Sequence, residues 1–125
     1  MNARKRILIV DDDAFIRRPL QFLLNREGFD TEVVGDGEAC LESMEQRRPD
    51  LVCLDIMMPG RDGFSTCEEI RRRPRLSEVP VIFLSAKGQD GDVSRGMSLG
   101  AIDFVSKPYS PAELLSKIKS VLGAS

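Results

Sequence analysis

The 125-residue chain has no histidine, no tryptophan, one tyrosine, and three cysteines without a Cys-x-x-Cys pair. The missing histidine excludes Ser-His and Cys-His nucleophile pairs, and any phosphohistidine of the chain's own. Covalent handling of phosphate would fall to Asp, Ser, Thr or Tyr. With no histidine and with Cys40, Cys53 and Cys67 far apart, a zinc site is not expected, and the thiols read as buried and reduced. No apolar run approaches the ~18 residues needed to cross a bilayer. The run that follows the basic start MNARKR, Ile7–Val10, is too short for the core of a signal peptide, so a cytoplasmic protein with no membrane partner is expected. A net charge of −2 supplies no bulk attraction to nucleic acid.

What is present suits a single domain over residues 1–125, with its core at about 6–122. Three short, fully apolar runs, Ile7–Val10, Leu51–Leu54 and Val81–Leu84, have the character of strands buried on both faces of a parallel sheet. Two weaker runs, Thr31–Val34 and Ala101–Val105, each carry an acid and read as edge strands. Helix-length segments alternate with them. Ala14–Glu27 presents Ile16, Leu20, Leu23 and Leu24 on one face, with Pro19 expected to bend it. Others follow Asp36 and Asp62, and a glycine-containing one spans about Asp90 to Leu99. The last opens with the capping box Ser110-Pro111-Ala112-Glu113 and stops at Gly123. The pattern is an α/β fold: one doubly wound (βα)5 domain, flavodoxin-like, with a five-stranded parallel sheet of order 2-1-3-4-5. The basic run Arg71–Arg75 is expected to end the third helix and lie in water, without nucleic-acid character.

In such sheets functional groups collect at the carboxyl ends of the strands. Here those ends carry Asp11-Asp12-Asp13, Asp55, Ser85 and Lys107-Pro108. Adjacent strands lie about 5 Å apart, so the side chains should meet in one pocket. Crowded carboxylates call for a raised pKa or a cation, and Mg2+ suits a few carboxylates with waters. A metal, the Lys107 ammonium and the Ser85 hydroxyl around Asp55 could hold three phosphoryl oxygens, leaving Asp55 as nucleophile.

The stretches ILIVDDD, LVCLDIMMPGRDG, VIFLSAK and DFVSKP, in that order, resemble the response-regulator receiver domains of two-component signalling, in particular the chemotaxis type. The resemblance covers about Arg6 to Leu122. It implies a phosphorylation-activated switch in which Asp55 is the phosphoacceptor and the donor is a sensor histidine kinase or a histidine phosphotransfer protein. The metal is Mg2+, with Mn2+ as the alternative ion. Asp12 is its direct ligand, Asp11 acts mainly through water, and Asp55 and the backbone carbonyl of Met57 complete the set. Ser85 and Lys107 serve the reaction. Ser85 and Phe104 are the switch pair, and the Lys107–Pro108 bond is expected to be cis. Asp13 is left to cap the first helix. The expected partners are the kinase and a downstream protein target, with no direct nucleic-acid binding by this chain and with phosphorylation-dependent homodimerisation left open. The chain would not be an enzyme beyond its own phosphorylation and slow dephosphorylation. Its departures from the family pattern are Phe104, where many relatives have Tyr, and Met57 and Lys87, two residues after Asp55 and Ser85. Met57 cannot orient water, so slow hydrolysis is expected.

Two rivals are weaker. A haloacid-dehalogenase-type phosphatase would use Asp11 and Asp13, but it leaves Asp55 without a role. A nucleotide- or flavin-binding module would want glycines and free N–H groups where this chain has three aspartates.

Overall fold

The structure is a computed structural model that describes residues 4–58, 60–86 and 90–123. Lys87, one of the departures from the family pattern, lies outside the described residues, as does Pro59. The elements are β1 (Arg6–Val10), α1 (Ala14–Arg26), β2 (Asp30–Val34), α2 (Gly37–Gln46), β3 (Leu51–Asp55), α3 (Gly63–Arg72), β4 (Val81–Ala86), α4 (Asp90–Ser98), β5 (Asp103–Lys107) and α5 (Pro111–Leu122). The strands form one parallel sheet of order β2-β1-β3-β4-β5.

The three apolar runs are its centre: Ile7–Val10, Leu51–Leu54 and Val81–Leu84 are all fully buried. Alternation along these strands sends side chains to two cores. Ile7, Ile9, Leu51, Cys53, Ile82 and Leu84 face α1 and α5, where Leu20, Leu24, Leu114 and Ile118 meet them. Leu8, Val10, Val52, Leu54, Val81 and Phe83 face α2 and α3, where Cys40, Met44, Phe64, Cys67 and Ile70 meet them. Both faces are covered, which is why an uninterrupted apolar run is the right sequence for these strands. Truncating a fully buried centre such as Phe83 to alanine should cost about 3–5 kcal/mol. The three cysteines are buried and unpaired, and burial pushes the Cys40 thiol up to about 12.

Polar caps turn the chain from strand tip into helix. Asp13, Asp36, Asp62 and Ser110 accept backbone N–H groups of Phe15, Ala39, Ser65 and Glu113 at 2.9, 2.8, 2.8 and 3.1 Å. Each is worth about 1 kcal/mol. Pro111 opens α5, and Gly123 ends it in the left-handed region. Helix α1 continues through Pro19, which is exposed.

Three expectations change. β5 starts two residues later than the apolar run suggests and includes Lys107. β1 begins with Arg6, whose residue is only 8% exposed and whose guanidinium pairs with Glu32. The basic run does not simply lie in water. Arg71 donates to the carbonyls of Leu99, Ser77, Val79 and Gly100 at 3.1, 3.0, 2.8 and 3.0 Å. Arg73 bonds Glu69 and Glu45, both at 3.1 Å. Loop carbonyls that turn away from the sheet need donors, and a planar guanidinium with five N–H groups is suited to bind several at once.

Candidate functional site at the carboxyl ends of the strands

Strands β1, β3 and β5 bring Asp11, Asp55 and Lys107 together. The ammonium of Lys107 is 2.8 Å from Oδ2 of Asp55 and 3.4 Å from Oδ2 of Asp11. Asp11 is fully buried and Asp55 nearly so, whereas Asp12 is exposed. Carboxylate oxygens of Asp11, Asp12 and Asp55 all lie within 4.8 Å of one another. This is a hard, oxygen-only donor set of the kind Mg2+ takes.

Local folding fixes these positions. Asp11 N–H bonds Val34 O at 3.1 Å, continuing the β1–β2 ladder one residue past the strand. Oδ1 of Asp11 then accepts from Asp13 N–H at 2.9 Å, so the chain turns at once. Asp13 is spent as the cap of α1, which removes it from the acid pair and from the general-acid role of the phosphatase rival. Asp55 ends β3, and its Oδ1 accepts from Met57 N–H at 3.2 Å. The first turn of α3 packs directly on this tip. A Cβ at Gly63 would collide with the Asp55 carbonyl oxygen, so only glycine allows this approach.

One lysine does not balance three aspartates. Burial pushes the Asp55 carboxyl above its ordinary value, and the hydrogen bond and charge of Lys107 oppose that without cancelling it. Burial works against the Lys107 ammonium, but the hydrogen bond to Asp55 and the two buried acids outweigh it and hold its pKa above the ordinary range. The pocket thus favours any added positive charge.

The positions of the other expected residues are as follows. Ser85 is buried at the tip of β4, in register with Ser106 and one strand from Asp55, and its hydroxyl bonds no side chain among the described residues. Met57 is 71% exposed, beside the carboxylate that its own N–H holds. Phe104 is half-buried on the face opposite α1 and α5. Its ring centroid lies 5.4 Å from that of Phe83, and the ring fills the space that a Cβ at Gly96 would take. The Lys107–Pro108 bond is cis. Sequence reasoning missed Tyr109, whose buried hydroxyl lies 3.4 Å from Oδ2 of Asp11. The available signal was slight: the single tyrosine stands two residues after the strand-end lysine.

A buried aspartate at the tip of β3, an acid pair after β1 and a lysine at the end of β5 thus lie together at one edge of the sheet. The family model described as response regulator receiver domain matches residues 7–119. The chain belongs to that family. It is 44% identical over 119 residues to the DNA-binding response regulator MtrA of Mycobacterium tuberculosis, covering 95% of this chain and 51% of MtrA. The chain spans about half the length of the curated relatives it matches. Among solved structures it is similar to a putative response regulator from Chloroflexus aurantiacus, with a TM-score of 0.90 and 30% identity over 97% of this chain and 99% of that one. It is also similar to the receiver domain of a sensor histidine kinase from Pseudomonas aeruginosa, with a TM-score of 0.86 and 30% identity over 98% of this chain and all of that one. That structure holds a magnesium ion coordinated in its active-site cleft. Receiver domains generally bind Mg2+ at an acidic pocket, and the cluster of Asp11, Asp12 and Asp55 is an acidic pocket of that kind.

The comparison corrects one expectation. Excluding nucleic acid from the partners does not stand, because the MtrA proteins of several mycobacteria, 44% identical to this chain, are named DNA-binding response regulators. The exclusion rested on net charge and on the short basic run. Those describe the field around this domain and carry no information on what the domain controls. No helix among the described residues is long and apolar enough to cross a membrane.

Proposed function

We propose that this chain, as one receiver domain over residues 1–125 in the cytoplasm, is a switch set by phosphorylation of Asp55. The observation that carries the reading is the buried Asp55 carboxylate, 2.8 Å from the Lys107 ammonium and within 4.8 Å of the Asp11 and Asp12 oxygens. In the proposed step an Asp55 oxygen attacks the phosphorus of a phosphohistidine on a partner kinase or phosphotransfer protein. An O–P bond forms, the N–P bond breaks, and the imidazole leaves with a proton from solvent. Mg2+, when bound, neutralises charge on the phosphoryl oxygens. Asp12 and Asp55 would hold it directly, with the Met57 carbonyl, and Asp11 mainly through water.

Lys107 loses Asp55 as a full counter-charge once the acyl phosphate forms, and pairs with the phosphoryl group instead. In this reading the Ser85 hydroxyl turns toward a phosphoryl oxygen, and Phe104, which packs on Phe83, changes its rotamer in response. The two arrangements of β4, α4 and β5 then differ in how well they bind the modified Asp55, which is what a population shift requires. The domain acts on itself and has no separate substrate. The similarity to DNA-binding response regulators favours a DNA-directed output for the protein whose activity this switch sets.

The test is labelling from a phosphohistidine donor or a small acyl phosphate. Wild type with Mg2+ should gain one hydroxylamine-labile label. Asp55→Asn, and wild type in chelator, should gain none. Wild type that takes up no label under any of these conditions would end the proposal.

A further inference from the structure

Asp11 and Asp12 are adjacent in sequence but treated very differently. Asp12 stands in water, while Asp11 is fully buried and the chain brings three donors to it. Oδ1 accepts from Asp13 N–H at 2.9 Å. Lys107 lies 3.5 Å from Oδ1 and 3.4 Å from Oδ2. The third donor is the hydroxyl of Tyr109, 3.4 Å from Oδ2. An ionised carboxylate only accepts, so the phenol must donate. Among the described residues that hydroxyl has no other partner, and the residue is only 8% exposed. Its ring packs in the core shared with Val105, Leu114 and Ile118, which fixes where the hydroxyl points. A Phe there would pack the same ring. The hydroxyl is the one polar atom added to that core, and it is spent on Asp11.

We propose that Tyr109 is a positioning residue for the metal pocket: its hydroxyl holds the Asp11 carboxylate in the orientation the cation needs. The inference rests on the Mg2+-binding reading above. The physical argument concerns rotation. With only the Asp13 amide and Lys107 as donors, the Asp11 carboxylate is free to turn about its Cβ–Cγ bond and to close a tighter pair with the ammonium. The Tyr109 bond opposes that turn. It keeps an acceptor lone pair of Asp11 facing Asp12 and Asp55, whose oxygens are already within 4.8 Å. A residue that orients a metal-pocket carboxylate commonly changes metal affinity by 10–100-fold when lost. A bond of 3.4 Å argues for the lower end.

Tyr109→Phe keeps the ring and removes only the hydroxyl. Calorimetric Mg2+ titration should show binding about ten-fold weaker than wild type, while the metal-free variant unfolds at the same or slightly higher denaturant. Labelling by a small acyl phosphate should fall at limiting Mg2+ and recover at saturating Mg2+. Tyr109→Leu, which loses the ring, should be destabilised without metal, separating packing from positioning. If Tyr109→Phe binds Mg2+ as wild type does, the hydroxyl is only a core ornament and the inference is overturned. If wild type itself binds no Mg2+, the function reading fails and takes this inference with it.

Discussion

At the amino ends of the strands, buried or half-buried cations are surrounded by partners. Arg6 pairs with Glu32, sits 4.0 Å from Asp30, and its backbone N–H bonds Asp50 at 2.7 Å. Arg71 reaches four loop carbonyls. At the carboxyl ends, Asp11 and Asp55 share the one ammonium of Lys107, and Asp12 adds a third carboxylate within 4.8 Å of theirs. At one end of the sheet most of the cations' N–H groups are met, by acids around Arg6 and by backbone carbonyls around Arg71, and that end is built to stay closed. The other is left short of positive charge, which is what the proposed binding of a cation there would use. Stability and function are thus placed at opposite ends of the same five strands.

The harshest way to break this contrast is to remove a matched cation. Arg71→Leu leaves carbonyls of Leu99, Ser77, Val79 and Gly100 without their donor, in loops that join α3 to β4 and α4 to β5. The expected loss is about 3 kcal/mol of unfolding free energy, from unmet acceptors that each cost on the order of 1 kcal/mol or more. Urea unfolding measures it. Mg2+ affinity, set at the far end of the sheet, should stay within about two-fold of wild type, since distant sites add independently. A large fall in Mg2+ affinity with little loss of stability would mean that the two ends are not separable.

Removing an acid from the unmatched end should act in the opposite direction. Asp55→Asn takes away a carboxylate that burial already disfavours. Without metal it should raise stability by about 1 kcal/mol, the usual size of a single-substitution effect, and it should shrink the further stabilisation that Mg2+ gives. The sign with pH follows from the raised Asp55 pKa. Its contribution to wild-type stability is complete below the unfolded value, about 3.9, and is lost as pH rises through the higher folded value. The advantage of Asp55→Asn should therefore be greatest near neutrality and should shrink on acidification toward pH 4. Unfolding in chelator at several pH values reads this directly, and a variant less stable than wild type at neutral pH would show that the Lys107 pair outweighs the crowding.

The sequence carried the unmatched end much better than the matched one. Asp11, Asp12, Asp55 and Lys107 are legible because the strand-tip rule converts four separate stretches into one pocket, and the apolar runs that aim them need no partner to be recognised. Arg71 is not legible, because its acceptors are backbone carbonyls up to 29 residues away, and a carbonyl has no letter in the sequence. Arg6 is misread for a similar reason: it looks like the end of a basic start until β2 brings Glu32 beside it. Tyr109 meets an acid 98 residues earlier, and only the register of β5 against the rest of the sheet makes that contact. β5 itself begins late because Ala101 and Ile102 still lead out of the turn at Leu99–Gly100, and Ile102 N–H bonds Val81 O at 2.9 Å before the strand proper. Apolarity alone does not separate that turn from a strand.

The smallest expected effect sharpens the contrast at the rim of the functional end. Met57 is 71% exposed while its N–H is tied to Oδ1 of Asp55. Its backbone is fixed at the carboxylate, and its exposed side chain stands two residues from the group that would carry the phosphoryl. A thioether is a weak acceptor and gives an attacking water nothing to hold. An amide in its place can accept one hydrogen bond from that water and donate another to a phosphoryl oxygen. Met57→Asn should therefore shorten the life of the acyl phosphate, by no more than about ten-fold, or ~1.4 kcal/mol off the barrier. Stability should hardly change, because the side chain buries little. The measurement is loss of label from purified phosphoprotein in the presence of Mg2+. Equal decay in wild type and variant would assign the lifetime to the buried groups around Asp55, and the exposed rim would then have no part in timing the switch.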